Sequence, residues 1–197
     1  MEKILDIAYD AFKIEAESLA ATAKVLNREE LRRAVVALAG AERIASSGCG
    51  HTGIACRHFA HLMCCIERPA RFISPAEAVH GGLGYLKAGD VMLLASRGGK
   101  TDELMNIIAV CKEKRVTIIG VTENLSSPLA EMSDIVLAMS VTRECDKYNC
   151  QGTASFAVTN AIFDALQTAL VEYTGYKNEQ FALIHPGGAV GKRLNNK

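Results

Sequence analysis

The sequence has little proline and no excess of charge of either sign. Only 4 of its 197 residues are Pro, whereas 49% are apolar and 22% are charged. This composition excludes a disordered or low-complexity chain and predicts a single domain over residues 1–197, because one domain usually holds about 100 to 200 residues. Lys plus Arg total 22, Asp plus Glu also total 22, and no stretch gathers the basic residues into a stripe. We therefore expect no nucleic acid as a partner.

Long apolar runs and a leader sequence are also missing. The longest uninterrupted apolar stretches, such as residues 34–41, fall well short of the roughly 18 residues that a membrane-spanning helix needs. The first turns, from Met1 onward, contain acidic residues and lack the apolar region and small-residue cleavage site of a secretory signal. The sequence thus predicts a cytoplasmic protein without a membrane partner.

The cysteines lack the pattern of a disulfide framework. Their number, 7, is odd, and Cys64 and Cys65 are adjacent. Several others fall inside apolar helix or strand patterns, which favours reduced thiols that pack as small hydrophobic side chains. Cys145 and Cys150 lie five residues apart, but no CxxC or HxxxH pair accompanies them, so no zinc site is predicted.

Apolar spacing predicts helices first and then alternating strands and helices. Spacings of three and four indicate helices over residues 3–26 and 29–39, within an N-terminal helical part, 1–40. Over residues 41–197, short apolar runs alternate with helical patterns. The predicted strands are 44–47, 71–73, 91–95, 117–122 and 135–139. This alternation predicts an α/β fold, a doubly wound, flavodoxin-like, five-stranded parallel sheet flanked by helices.

Two glycine-containing loops follow predicted strands, at the edge where ligands bind in open α/β sheets. Gly48, Gly50 and Gly53 have the GxGxxG spacing of dinucleotide sites, but the acidic residue expected about twenty residues later is absent from the segment after Arg71. The second loop, residues 96–101, reads Ser-Arg-Gly-Gly-Lys-Thr and precedes a helix. It would offer amides and a positive helix end to one phosphate, or it is an ordinary turn with a Thr cap.

Three further segments concentrate polar and glycine residues. They are residues 75–84 with His80, residues 143–149 with Glu144, and residues 185–191, which read His-Pro-Gly-Gly-Ala-Val-Gly. Any one of these segments alone would be interpreted as a turn. Three such segments in one chain favour a functional site.

These loops, in this order, resemble the sugar isomerase (SIS) domain, and more narrowly its arabinose-5-phosphate isomerase branch. The resemblance extends from about Glu42 to Leu194 and is most specific in residues 74–84 and 181–194. Family members often add a pair of CBS domains, so this chain resembles the stand-alone form. The resemblance implies an aldose–ketose isomerase that works through an enediol, with a phosphorylated sugar as substrate and no metal or organic cofactor.

The resemblance also implies the site residues. The ionisable, catalytic candidates are Glu103, Glu144, His185 and His80. The resemblance implies that Ser47, Ser96, Thr101, Thr153 and Ser155 surround the sugar phosphate. The same loops add Gly48, His51, Gly98 and Lys100 as candidates for binding substrate or phosphate. A carboxylate and an imidazole suffice to open the sugar ring and to move a proton next to a carbonyl.

The sequence departs from the family pattern at the loops. His51 stands where the isomerase branch usually has Lys. The loop that usually reads Ser-Asn-Ser-Gly-Glu-Ser has Arg97, Gly98 and Lys100 at its second, third and fifth positions. Arg97 or Lys100 would balance substrate charge in place of the missing Lys. Alternatives therefore stay open: a non-catalytic phosphosugar-binding sensor, or another phosphosugar enzyme such as a 6-phospho-3-hexuloisomerase or an amino-sugar lyase.

The predicted opening helix bears on assembly. Its apolar stripe, from Ile4 to Leu26, has no place on a sheet that is already covered on both faces. An exposed patch of that size normally contacts a partner. SIS domains resemble one another in forming dimers and tetramers with shared sites, so we expect a homo-oligomer in which His80 or His185 acts on the substrate of a neighbouring copy.

Overall fold

The computed structural model describes residues 1–195 and contains one parallel sheet. The strands are β1 (Ile44–Ser47), β2 (Ala70–Phe72), β3 (Val91–Ala95), β4 (Thr117–Thr122) and β5 (Ile135–Ala138). Their spatial order is β2-β1-β3-β4-β5, and every neighbouring pair is parallel. This is the doubly wound order that the sequence predicted, and the strand bounds agree with the prediction to within one residue.

Nine α-helices and one 3₁₀ turn surround the sheet in the described part of the chain. They are α1 (Glu2–Val25), α2 (Arg28–Gly40), α3 (Gly50–Cys64), α4 (Pro75–Ala78), the 3₁₀ turn Gly82–Tyr85, α5 (Asp102–Glu113), α6 (Pro128–Met132), α7 (Ala154–Thr174), α8 (Asn178–Ile184) and α9 (Gly188–Asn195). The sequence predicted no helix after α7. Residues 185–191 were interpreted as a glycine loop, whereas Gly188 begins α9.

The central strands are apolar along their whole length because both faces of the sheet are covered. All five residues of β3 are buried. Leu93 belongs to the core cluster that faces α1, α2, α3 and α7, while Met92 and Leu94 belong to the cluster that faces α4, α5 and α6. Successive side chains of a strand point to opposite faces, so one strand contributes to both cores.

Helix α7 is long and apolar enough, by length and composition alone, to cross a membrane. The sequence analysis did not identify a stretch of this length. In the structure this helix contacts α1, α2 and α3, and Ile162, Phe163 and Leu166 on it are fully or almost fully buried. A single such helix with a buried face is what the core of a folded domain also contains, so it is weak evidence for a membrane span.

The cysteines are all free in the structure, but they do not all pack as small core residues. Cys56 and Cys111 are buried, and burial raises the pKa of Cys111 to about 11. Cys64 and Cys150 are exposed, so the expectation of core packing was wrong for these two.

Candidate active site

Strands β1 and β3 are neighbours and bring two serines to the carboxyl edge of the sheet. Ser47 is the last residue of β1 and pairs in register with Leu94, while Ser96 directly follows β3. The Ser47 hydroxyl is buried and has no hydrogen-bond partner among the described residues. Buried hydroxyls are normally paired, so this oxygen is available to a ligand.

The loop from Ser96 to Thr101 joins β3 to α5 and turns back on itself. The two hydroxyl oxygens at its ends lie 2.8 Å apart, and the amide of Gly99 donates to Ser96 Oγ at 3.1 Å. Gly99 has φ +66°, and a Cβ there would overlap the Ser127 hydroxyl, so only glycine fits this position. Gly98 and Lys100 between the two hydroxyls are exposed. The loop thus presents polar groups beside the N-terminus of α5.

The first glycine loop packs tightly for a structural reason. A Cβ on Gly53 would lie 2.6 Å from the carbonyl oxygen of Gly48, and a Cβ on Gly48 would lie 3.1 Å from the carbonyl oxygen of Ala95. These glycines let α3 begin close to the ends of β1 and β3. His51, in the first turn of α3, is exposed, and its ring lies edge-on to Phe156 with centroids 6.4 Å apart. His51 therefore lies beside the N-terminal turn of α7.

Glu144 is the most enclosed of the predicted ionisable residues. It is 3% exposed, and its Oε2 accepts from Thr153 N at 2.9 Å, Thr153 Oγ1 at 3.2 Å and Ser155 N at 3.2 Å. Burial raises the pKa of Glu144, but hydrogen bonds from Ser155 and Thr153 and the charge of Arg97 outweigh it, and the pKa is lowered. The carboxylate is therefore held in its ionised form.

Arg97 connects two glutamates that follow neighbouring strands. Its Nη1 lies 2.7 Å from Glu144 Oε1, and its Nε lies 2.8 Å from Glu123 Oε2. Glu123 follows β4, and its other oxygen accepts from Val141 N at 2.7 Å. Of the two cations expected to balance substrate charge, Arg97 is thus engaged with protein carboxylates, whereas Lys100 is exposed and makes no ion pair with a described residue.

Glu103 lies at the same edge in a different environment. It is in the first turn of α5 and is exposed. Burial, followed by the nearby Glu103 carboxylate, raises the pKa of the Cys49 thiol. Gly48, just before α3, packs on the carbonyl of Ala95 at the end of β3, so the starts of α3 and α5 lie at the same edge of the sheet, and Glu103 lies in the first turn of α5.

His80 lies near the end of α4, on the face of the sheet where α4 contacts α5. It follows α4, which comes after β2, and its side chain is exposed. Its amide donates to Glu77 O at 3.2 Å. Within one copy it makes no hydrogen bond to another predicted site residue among residues 1–195.

His185 lies at the other end of the helices that build the site. It follows α8, and Gln180 of α8 donates to Glu67 Oε2 at 2.8 Å, three residues past the end of α3. Since α3 has 15 residues, this contact lies about 20 Å along the helix from its first turn. The ring of His185 packs on Phe181, with centroids 4.9 Å apart, and its Nδ1 is buried without a described partner. The structure does not bring His185 to the other site residues of the same copy.

Comparison with known proteins identifies the family. The family model of the SIS domain matches residues 37–169, which is more than half of the chain. The chain belongs to the SIS domain family.

This SIS domain is similar to arabinose 5-phosphate isomerase KdsD of Pseudomonas aeruginosa, with 38% identity over 157 residues that cover 80% of this chain and 48% of the relative. It is also 33% identical to arabinose 5-phosphate isomerase GutQ of Escherichia coli K12, over all of this chain and 61% of that protein. The chain spans about half to three fifths of the length of these curated relatives.

Two solved structures are similar over nearly their whole length. A Listeria monocytogenes protein proposed to be a sugar-phosphate isomerase is 42% identical, with a TM-score of 0.91, and the match covers 94% of this chain and 98% of that one. An Escherichia coli CFT073 protein in complex with arabinose 5-phosphate is 25% identical, with a TM-score of 0.87 and the same coverage.

Two acidic residues near the candidate site of this SIS domain were not among the residues predicted from the sequence. Glu123 was not identified, although its position directly after β4 at the carboxyl edge was a usable signal. Asp146 accepts backbone hydrogens from Tyr148, Cys150 and Gln151 and so shapes the loop before α7. These hydrogen bonds to Asp146 join residues of one short loop, and no periodic pattern in the sequence predicts them.

The described residues of the SIS domain contain no group of three or more His, Cys, Asp or Glu side chains arranged to hold a metal ion. The polar groups at the carboxyl edge are instead hydroxyls, amides and separate carboxylates. Such a set suits an oxyanion and acid–base chemistry.

Proposed function

We propose that the chain is a sugar-phosphate aldose–ketose isomerase, of the type that interconverts arabinose 5-phosphate and ribulose 5-phosphate. The observation that carries this proposal is the meeting of hydroxyls and helix N-termini at one sheet edge, with an exposed carboxylate, Glu103, beside them. The names of the curated relatives support the phosphosugar and the isomerase class.

The phosphate group of the substrate binds the 96–101 loop in this proposal. Ser96 and Thr101 present paired hydroxyls, and Ser47 presents a buried hydroxyl without a described partner. The N-terminal turns of α3, α5 and α7 face the same edge and carry the partial positive charge of their free amides. Lys100 supplies a full positive charge, which replaces the Lys that the family has at the position of His51.

The isomerisation needs an acid and a base in addition to this binding site. The ring of the aldose opens when its hydroxyl loses a proton and its ring oxygen gains one. A carboxylate, Glu103 or Glu144, then removes the proton from C2, a cis-enediol forms, and the proton returns to C1. His80 and His185 exchange protons with the ring oxygen and the hydroxyls. These steps are redox-neutral within the substrate, and a carboxylate and an imidazole suffice for the proton transfers, so we expect no metal or organic cofactor.

We also propose that the protein is a homo-oligomer, a dimer or tetramer, in which His185 reaches the substrate of a neighbouring copy. Two observations support this assembly. His185 lies far from the phosphate loop of its own copy, while Leu183 beside it is 78% exposed. The outer face of α1 leaves Ile7 and Phe12 exposed, at 58% and 72%, because Ile14, Ser18 and Thr22 form the face packed on the body. We expect the assembly in the cytoplasm.

The test is a panel of pentose and hexose phosphates. Each is first screened by the rise in melting temperature of the protein and then assayed for conversion of aldose to ketose. We expect both binding and turnover with arabinose 5-phosphate. A rise in melting temperature without turnover of any sugar would favour the phosphosugar sensor instead, and turnover of a hexulose phosphate alone would favour a 6-phospho-3-hexuloisomerase.

A further inference from the structure

Arg97 lies where three loops at the carboxyl edge of the sheet meet. Its side chain spans from its own loop after β3 to Glu123 after β4 and Glu144 after β5. Its backbone carbonyl accepts from Thr122 Oγ1 and from Glu123 N, both at 3.0 Å. Arg97 is therefore fixed at both its backbone and its guanidinium.

The hydrogen bonds of Glu144 leave its carboxylate little capacity to take a proton from a substrate. An ionised carboxylate has about four lone-pair sites, and Glu144 already accepts from four donors. These are Arg97 Nη1 at 2.7 Å, Thr153 N at 2.9 Å, Thr153 Oγ1 at 3.2 Å and Ser155 N at 3.2 Å. Oε2 accepts three of these donors and Oε1 accepts only Arg97 Nη1, so a proton taken up by Glu144 would bind Oε1 and remove the negative charge that pairs with Arg97, at 3% exposure.

Glu103 has the opposite surroundings. Its side chain is exposed and makes no hydrogen bond to a described residue, and it lies in the first turn of α5, two residues after the Ser96–Thr101 loop. A general base must reach the proton that it removes, and an accessible carboxylate at this edge meets that condition.

We propose that Arg97 is a positioning residue that holds Glu144 as a fixed carboxylate, so that Glu144 shapes the first turn of α7 while Glu103 is the base. The inference deepens the proposed isomerase function and rests on it. In this arrangement neither Arg97 nor Glu144 exchanges a proton with the substrate during turnover. The ion pair keeps the amides of Thr153 and Ser155, and the loop that carries Arg97, in the geometry that binds the substrate.

The test combines single and double variants with a readout of proton transfer. The variants are Arg97→Met, Glu144→Gln, their combination, and Glu103→Gln. Each is assayed for kcat and KM on the sugar phosphate that the wild type converts, and for exchange of the C2 hydrogen with D2O. Circular dichroism and thermal unfolding establish that each variant is folded.

Glu103→Gln is expected to lower both turnover and C2 exchange about a hundredfold or more, with KM nearly unchanged. Glu144→Gln is expected to lower kcat at least about tenfold, because Arg97 loses a partner. Adding Arg97→Met should then restore kcat at least about fivefold over Glu144→Gln alone, since Gln still accepts from the Thr153 and Ser155 amides and no guanidinium is left facing it. Glu123, the other partner of Arg97, keeps its bond from Val141 N, and its side chain is 31% exposed to water.

Several outcomes would overturn the inference alone, provided that the wild type is active. They are a double variant no better than Glu144→Gln, a Glu103→Gln variant with wild-type exchange, and an Arg97→Met variant with both kcat and KM of the wild type. If the Glu144 variants do not fold, Glu103→Gln still tests the assignment of the base and Arg97→Met still tests the positioning role. A wild-type protein that converts no sugar phosphate in the panel overturns the proposed function itself, and the assignment of the base with it.

Discussion

The hydroxyl oxygens of Ser96 and Thr101 lie 2.8 Å apart across the β3–α5 loop. One donates to the other, so the accepting hydroxyl keeps its own hydrogen free to donate to a substrate oxygen. Gly99 N also donates to Ser96 Oγ, which orients the serine from inside the loop. The pair is thus held in place before any substrate binds, as the proposed phosphate site requires.

Thr101→Val is expected to weaken the binding of a sugar phosphate about ten- to hundredfold, because it removes one hydrogen bond to a charged group, worth about 1.5–3 kcal/mol. Titration calorimetry with the substrate measures the effect. The matched control is Thr174→Val at the far end of α7, where Thr174 Oγ1 donates only to Leu170 O within the helix. Equal affinity of the two variants would contradict a phosphate site at this loop.

Gly99→Ala is expected to lower the free energy of unfolding by about 2–4 kcal/mol, since the residue has φ +66° and the new methyl group overlaps Ser127. Urea unfolding followed by circular dichroism measures the loss. Gly98→Ala is the neighbouring control, because its φ is not positive and a Cβ there meets nothing within 4 Å, so its stability should change by less than about 0.5 kcal/mol. A similar loss in both variants would show that the loop is not turned as described.

The lowered pKa of Glu144 predicts how stability changes with pH. A carboxyl group whose pKa is lower in the folded state than in the unfolded chain contributes stability that is fully present above the unfolded pKa of about 4.3. That contribution is lost as the pH falls through the lowered folded value. The wild type should therefore lose free energy of unfolding below about pH 5, and part of this loss belongs to Glu144.

The variant Glu144→Gln separates the contribution of Glu144 to the pH dependence of stability from that of the other carboxylates. At pH 7 the variant should be less stable than the wild type by about 1–3 kcal/mol, because Arg97 loses a charged partner. The gap should narrow on acidification, since Gln does not titrate. Urea unfolding at several pH values from 7 down to 4 measures both curves, and parallel curves would mean that Glu144 has no lowered pKa.

The central strands and their order were predictable from the sequence because burial on both faces requires continuous apolar runs. Strands β1, β3 and β4 have the predicted bounds, and the hydroxyls after β1 and β3 could be placed at one edge. The helices after α7 were not predictable in the same way. Pro186 and the glycines after it are typical of a turn, and α8 buries none of its residues, so no apolar face marks it.

The ion pairs of the site were beyond sequence reasoning for a different reason. Arg97 and Glu144 are 47 residues apart, and no local pattern relates them. The sequence indicated both as candidates for charge and catalysis, but the contact that ties one to the other depends on strands β3, β4 and β5 lying side by side. The predicted roles of Glu103, Glu144, His80 and His185 stay predictions until they are tested by activity.

Complementation between two inactive variants tests whether sites are shared between copies. His185→Asn removes the imidazole, and Glu103→Gln removes the proposed base. If His185 serves the neighbouring copy, a mixed dimer has one site with both defects and one site with neither. Mixing equal amounts after reversible dissociation should then restore roughly a quarter of wild-type turnover, because about half of the dimers are mixed and each has one intact site.

The location of His185 makes the recovery of turnover in mixed dimers a specific test of shared sites. Within one copy, the contact between Gln180 and Glu67 holds α8 near the far end of α3, so an active site assembled from one chain would need that contact to break. In such a site each mixed dimer would carry two single defects and no intact site. Turnover of the mixture would then stay at the level of the separate variants, and the sharing of His185 between copies would be wrong. Light scattering on the same samples gives the oligomer mass, and a fully active monomer would contradict the assembly directly.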